Sequence, residues 1–362
     1  MRIDKIREGL KEEKIDGIVV SNIKNVRYIS GFTGEEGMAV VTESNAYLIV
    51  DGRFTEQAEN ESEIEVVDFG KNFVKTIGNL LEKDNVKKCA FEGNHMTYSE
   101  ASHMIETINS IEWKPLKDLF EKVRMIKDKS EIIEIKKALK IALDTFEFVR
   151  PQVVPGVSEI EIKNEIEYQM KKRGASGPSF DTIVASGKRS SLPHGVASEK
   201  VIENGDAVVI DMGAVYNGYC SDITRTVFVG EPSKKQQRVY DLVEKAQKFA
   251  IDAIEAGVTC KEVNEVAVNE FRKNAMDQYF VHALGHGVGL DVHERPFIAE
   301  RSSDTFKPGM VVTVEPGLYL PEQFGVRIED MVMVPENGGW HFVHITFIKR
   351  YLQYYNYYLF NL

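Results

Sequence analysis

Cysteine is scarce in this chain of 362 residues. The three present, Cys89, Cys220 and Cys260, are too few and too scattered for a disulfide framework, and no two stand as Cys-x-x-Cys. The setting this predicts is a reducing one, and the expected location is the cytoplasm. Basic charge is also in deficit: 45 Lys+Arg face 56 Asp+Glu, a net charge of −11. With no basic block to neutralise phosphates, no nucleic-acid partner is expected, and anionic lipid exerts little pull. No stretch approaches the ~18–20 uninterrupted apolar residues of a membrane span, so no membrane partner is expected. The opening MRIDKIREGLKEEK has no apolar core, so no signal peptide is expected either. Internal repeats and low-complexity linkers are missing too. What remains is 43% apolar and 28% charged, an ordinary globular balance in a chain long enough for two domains.

The first third alternates between two periods. Ile3, Ile6 and Leu10 share one face of a helix over 3–14, and helical patterns recur at 54–61, 72–83 and 98–109. Between them, short apolar runs predict strands at 17–20, 38–41, 46–50, 64–68 and 88–91. This is an α/β domain, taken as residues 1–121. Composition then shifts. Residues 122–149 read as a long helix, with Asp128 and Glu131 spaced as a capping box at its start. The pairs Ser158/Glu161, Ser233/Gln236 and Thr259/Glu262 mark three more helix starts. Strands are expected at 207–212, 219–229, 310–314 and 326–334. The second domain, 122–340, is therefore α+β, with helices on an antiparallel sheet. Residues 341–362, with five tyrosines between 351 and 358, form an atypical aromatic tail without a clean period.

Five segments of the second domain concentrate chemistry: SSLPHG (190–195), DMGAVYNGYCSDITRT (211–226), HALGHGVGLDVHERP (282–296), TVEPGLY (313–319) and GVRIEDMVMV (325–334). Asn217-Gly218 is a preferred tight-turn dipeptide, and folding back there brings Asp211 and Asp222 within a couple of positions of each other. Paired carboxylates in apolar strands repel and lose solvation, costs that a divalent cation removes. The plain alternative is an Asp that faces solvent or caps a turn. Glu315 and Glu329 likewise interrupt apolar strands, and alternation places Arg327 on the face of Glu329, so a buried Arg327–Glu329 ion pair is a competing reading. His282, His286 and His293 are interleaved with Gly285, Gly287 and Gly289, which allow close backbone approach to something, such as a ligand or metal. The string G-x-G-x-G is not the dinucleotide fingerprint, and HALGH lacks the Glu of the zincin motif. Together, Asp211, Asp222, His286, Glu315 and Glu329 supply four carboxylates and one imidazole. Two divalent ions would neutralise the carboxylates, and the donor set suits Mn²⁺, Co²⁺, Fe²⁺ or Zn²⁺. Cys220 reads as a packing residue.

In this order the segments resemble the pita-bread metallopeptidases of family M24, over roughly residues 122–335. NVRYISGFTG (25–34) and LIVDGRF (48–54) are similar to strings of the creatinase/prolidase-type N-terminal domain, which narrows the resemblance to the Xaa-Pro-cleaving branch. The resemblance implies an α/β N-terminal domain plus an α+β pita-bread domain, a homodimer, and proline-containing peptides as substrates. It also implies two divalent ions, Mn²⁺ foremost, held by Asp211, Asp222, His286, Glu315 and Glu329. His194 would contact substrate, His282 and His293 would line the proline-side pocket, and Arg327 would hold neighbouring groups or substrate. The implied reaction is hydrolysis of the bond before proline by a metal-bridging hydroxide, with Glu315 shuttling the proton. Two other classes compete: a scaffold that holds metal without catalysis, and a metal-dependent hydrolase of another amide or a phosphoester. His194, His282, His293 and Arg327 argue against the scaffold, since a satisfied metal pair needs no further polar groups around it.

Overall fold

The structure, a computed structural model, describes residues 2–334. The aromatic tail lies outside the described residues. The chain divides into two compact units, Met1–Arg124 and Met125–Leu362.

The first unit is built on one mixed sheet of six strands, β1 (Gly17–Val20), β2 (Met38–Thr42), β3 (Ala46–Val50), β4 (Glu65–Asp68), β5 (Lys88–Glu92) and β6 (Glu112–Leu116), in the order β4-β3-β2-β1-β5-β6. Its helices are α1 (Arg2–Glu12), α2 (Ile23–Ser30), α3 (Thr55–Glu61), α4 (Phe73–Lys83), α5 (Tyr98–Thr107) and α6 (Leu119–Arg124). The inner strands are buried on both faces, and Val19, Val40 and Ile49 pack with Val74, Ile77 and Leu81 of α4. Each such side chain contributes roughly 1.5–3 kcal/mol. Two elements were not foreseen. The short helix α2 has an Asn22 cap but no Glu or Gln at its third position. The strand β6 contains Pro115 and sits at the sheet edge, where a missing N–H is tolerated.

The second unit opens with α7 (Lys129–Val149) and α8 (Glu159–Lys172). The run expected as one helix over 122–149 is broken. Residues 122–124 close α6, and Asp128 starts a new helix as a complete capping box with Glu131. The other three expected boxes are also complete, at the starts of α8, α9 (Lys234–Asp252) and α10 (Cys260–Lys273). The strands are β7 (Gly177–Pro178), β8 (Ile183–Ser186), β9 (Ala207–Met212), β10 (Ala214–Tyr216), β11 (Tyr219–Cys220), β12 (Ile223–Phe228), β13 (Gly285–Gly287), β14 (Glu294–Ile298), β15 (Val311–Val314), β16 (Gly317–Leu320), β17 (Phe324–Arg327) and β18 (Asp330–Met333). They pair antiparallel in small sheets rather than one continuous one: β11-β10-β7, β12-β9-β8, β14-β13-β15-β18 and β16-β17. Helices α9 and α10 pack against the latter pair of sheets through a core that includes Val243, Ala246, Val263, Phe271, Val312 and Val326.

Two strands expected as continuous are interrupted. The run 219–229 breaks at Ser221-Asp222, and the run 326–334 breaks at Ile328-Glu329. Both breaks fall on a carboxylate that the sequence singled out. Leaving the ladder for one or two residues re-aims a side chain that regular alternation would fix.

Candidate metal centre

The hairpin at Asn217-Gly218 forms as expected. Both residues have positive φ, 44° and 75°, the geometry of a two-residue turn matched to strand twist. Beyond it, β12 pairs with β9 so that Thr224 lies opposite Asp211, which places Asp222 two positions from Asp211 across the ladder. Gly213 makes this crossing feasible, because a Cβ there would stand 1.9 Å from the Ser221 carbonyl oxygen. The backbone of Glu329 then bridges to Thr224, bringing a third carboxylate to the same spot. Arg225 donates to the Glu329 carbonyl and pairs with Asp330 at 2.7 Å, pinning the strand break from behind.

His286 arrives from β13. Its Nδ1 lies 3.0 Å from the Gly287 carbonyl, so that nitrogen carries the proton and Nε2 is left as a donor of a lone pair. Nε2 is 3.6 Å from Asp222 and 3.4 Å from Glu315. Asp222, His286 and Glu329 are all buried, and their ligand atoms lie within 4.8 Å of one another. Glu315 is anchored by its own N–H on the Leu284 carbonyl and by a 3.3 Å bond from the Thr313 hydroxyl. Asp211 gives one oxygen to Arg327, while its Oδ1 is buried without a hydrogen-bond partner.

The electrostatics are those of an anionic cluster. Burial, and then the charges of Glu329, Asp211 and Glu315, push the Asp222 carboxyl well above its usual range. Glu329 rises for the same reasons, and burial carries Glu315 to about 8. Burial lowers His286 to about 4, which keeps its imidazole neutral and able to ligate. An orphaned carboxylate oxygen, three mutually repelling carboxylates and a neutral, oriented imidazole together fit a divalent cation with mostly oxygen ligands.

Arg327 is a hub rather than the partner of Glu329. Its guanidinium donates to Asp211, to Thr224 Oγ1 (3.1 Å), to the Pro193 carbonyl (2.9 Å) and to the Tyr319 hydroxyl (2.7 Å). Thr224 passes the contact on by donating to Glu329 at 2.7 Å. The competing reading, a direct Arg327–Glu329 pair, is thus replaced by an Arg327–Asp211 pair with Thr224 between arginine and glutamate.

All nine residues singled out in the sequence line one cavity of about 450 Å³: Asp211, Asp222, His286, Glu315, Glu329, His194, His282, His293 and Arg327. Phe180, Ile183, Pro193, Val196 and Phe297 give it an apolar wall. The histidines differ in what their rings do. His282 has both nitrogens committed, Nδ1 to the Ala283 carbonyl at 2.7 Å and Nε2 to the Tyr319 hydroxyl at 2.9 Å. Burial lowers it to about 4, so it is a neutral acceptor rather than a free donor. The His293 ring lies 4.3 Å from the His286 ring, tilted at 60° to it, and like His194 it is exposed to the cavity.

Tyr319 and Thr224 were missed. Tyr319 was inside the TVEPGLY segment, and the signal was Gly317: a Cβ there would stand 2.6 Å from the Tyr319 hydroxyl. Thr224 stands two residues beyond Asp222, opposite Asp211 in the ladder. The glycines of the histidine segment allow close backbone approach, as expected of them. A Cβ on Gly285 would meet the Thr313 carbonyl at 2.0 Å, and one on Gly287 the Arg295 carbonyl at 2.2 Å. They admit neighbouring strands, and Gly285 also lines the cavity.

Residues 133–336 match metallopeptidase family M24, and residues 2–126 match the creatinase/prolidase N-terminal domain. A Xaa-Pro dipeptidase of Pyrococcus furiosus is 42% identical over 339 residues, covering 93% of this chain and 96% of its own. The solved structure of a Xaa-Pro dipeptidase from Bacillus anthracis is 43% identical with a TM-score of 0.92, covering 94% of this chain and 96% of that one. That of an X-Pro aminopeptidase from Thermotoga maritima is 40% identical with a TM-score of 0.86, covering 91% and 95%. Among the described residues, no helix is long and apolar enough to cross a membrane. The chain belongs to metallopeptidase family M24, with a pita-bread catalytic domain preceded by a creatinase/prolidase-type N-terminal domain.

Proposed function

We propose that this protein is a dinuclear-metal exopeptidase that hydrolyses the peptide bond before proline. The observation that carries the reading is the cavity itself, where a cation-fitting cluster, two open imidazoles and an apolar wall meet. Relatives named Xaa-Pro dipeptidase at 42–43% identity support this substrate class.

Asp211, Asp222, His286, Glu315 and Glu329 would hold two divalent ions, Mn²⁺ foremost, which supply an activated water and a Lewis acid. The chain's own groups do the rest. The bond before proline is a tertiary amide without an N–H, so the site must recognise rings and charges instead of that donor. Phe180, Val196 and Phe297 offer the apolar surface for a pyrrolidine ring. Glu315 faces the cavity on a fixed backbone and is placed to carry the nucleophile's proton to the leaving nitrogen. His194 and His293 have the ring nitrogens that can donate to the developing oxyanion; His282 instead orders Tyr319 and Arg327. Arg327 holds Asp211 in place through its guanidinium and ties the Pro193-His194 turn to the site. Three buried free cysteines suit a reducing compartment and favour a cytoplasmic location.

The test is turnover after chelation and reconstitution with Mn²⁺, Co²⁺ or Zn²⁺, offering Xaa-Pro dipeptides and Xaa-Pro-Yaa tripeptides side by side. Release of Xaa from either class is the expected result, and the ratio assigns dipeptidase or aminopeptidase preference. Folded, metal-loaded protein that cleaves neither would overturn the reading.

A further inference from the structure

His194 sits at the tip of the segment 187–197, which begins as a 3-10 turn over Gly187–Ser191 and is fastened along its length by the Gly325 N–H on Ser190, by Arg327 on the Pro193 carbonyl and by an Ile183–Val196 bridge. The segment exposes Leu192 and Val196, and its polar tip is turned into the cavity. Its two stems meet on one carboxylate. Glu159, at the first turn of α8, is fully buried. Its Oε1 accepts from the N–H (2.7 Å) and hydroxyl (2.9 Å) of Ser186, the residue before the segment. Its Oε2 accepts from the N–H (3.1 Å) and hydroxyl (2.7 Å) of Ser198, the residue after it. Arg189, inside the segment, completes the arrangement. Its Nε pairs with Glu159 at 3.0 Å, and its Nη2 donates to the Val196 carbonyl on the opposite limb.

We propose that Glu159 and Arg189 form a positioning clamp that closes the 187–197 strap at its base and thereby sets where His194 stands in the cavity. Neither residue touches the cation-fitting cluster, so both act through His194. The chemistry explains why these residue types are needed. A single buried carboxylate has enough lone pairs to gather both stems. Its charge needs a cation that can also reach elsewhere, and the spread N–H groups of a guanidinium reach Glu159 and Val196 from separate nitrogens, where a lysine's single nitrogen would have to stand within reach of both. A helix-capping role alone does not account for the geometry, because the carboxylate spends its bonds on Ser186 and Ser198 rather than on the N–H groups of its own helix. The proposal rests on His194 working in the peptidase reaction proposed above.

Arg189→Lys is the decisive variant. It keeps a cation beside Glu159, so the fold is retained, but it loses one arm of the fork. The measurements are kcat and KM of the Mn²⁺-loaded enzyme on a Xaa-Pro dipeptide, Mn²⁺ affinity, and amide hydrogen exchange, with residues 207–228 as the internal control. The expected result is a fall in kcat of about tenfold, since displacement near the chemistry can cost up to ~10²-fold. Mn²⁺ affinity stays unchanged, and exchange accelerates only within 187–198. Adding His194→Ala to Arg189→Lys is expected to cost less than it does in the wild type, because the two losses share one cause. Unaltered exchange in the strap would overturn the clamp. So would faster exchange with full kcat, or losses from the two substitutions that simply multiply. If the wild-type protein cleaves no Xaa-Pro peptide, the functional reading fails, and the exchange arm still decides whether the clamp exists.

Discussion

Buried carboxylates are treated in opposite ways in the two units. In the first, Glu92 is sunk at the end of a central strand, and its oxygens accept from the N–H groups of Ser21 and Asn22 and from the Asn25 amide, at 2.6–2.7 Å. Those donors open α2, so the charge also sits at the positive end of a helix. In the second unit, Asp222, Glu329 and Glu315 face one another, and Asp211 leaves an oxygen unpaired. One arrangement is complete as it stands. The other is complete with a cation. The contrast separates a carboxylate kept for folding from carboxylates kept for chemistry, although all are carboxylates in or beside apolar strands.

The sharpest way to break that contrast is to remove a carboxylate from each unit. Glu329→Ala is expected to abolish turnover on Xaa-Pro peptides while leaving the chelated protein as stable as wild type or more so, since it relieves repulsion; chemical denaturation with chelator present checks this. Glu92→Ala is expected to do the reverse. It strands the N–H groups of Ser21 and Asn22 and should cost about 3 kcal/mol of stability, with Mn²⁺ affinity intact. Tyr319→Phe probes the layer behind the cluster. Without the hydroxyl, Arg327 and His282 lose their link, and kcat should fall roughly tenfold with two ions still bound, read from steady-state kinetics beside metal analysis. The smallest effect belongs to Thr97→Ala, which removes a complete capping box from α5. About 1 kcal/mol should be lost by thermal unfolding, with no change in turnover.

The same contrast explains what could be read in the sequence. Helix starts were legible, because a capping box writes both partners three residues apart, as at Ser158/Glu161 and Ser233/Gln236. Buried strands such as 46–50 were legible from apolar runs. The helix α2 was not, because it is short and the N–H groups of the two residues that lead into it are satisfied by Glu92, about seventy residues away. Strand β6 was hidden by Pro115. In the site, the ligand residues stood out because charge is rare in apolar strands. Their register followed from the Asn217-Gly218 turn. Tyr319, Thr224 and the Glu159–Arg189 clamp did not stand out, because tyrosine, threonine and a helix-start glutamate are ordinary in those places. Their roles come from partners that only folding brings together, such as Pro193 and Arg327, 134 positions apart.

The central claim is that the anionic cluster of the second unit is a two-cation site. Calorimetric titration of Mn²⁺ into chelator-stripped protein tests it most directly, with Glu329→Ala as the paired sample. Two Mn²⁺ per chain are predicted for the wild type, with both strongly weakened in the variant because Glu329 lies where the ligand set converges. Wild-type protein that is folded and takes up no Mn²⁺, Co²⁺ or Zn²⁺, or a variant that binds as the wild type does, would contradict the account.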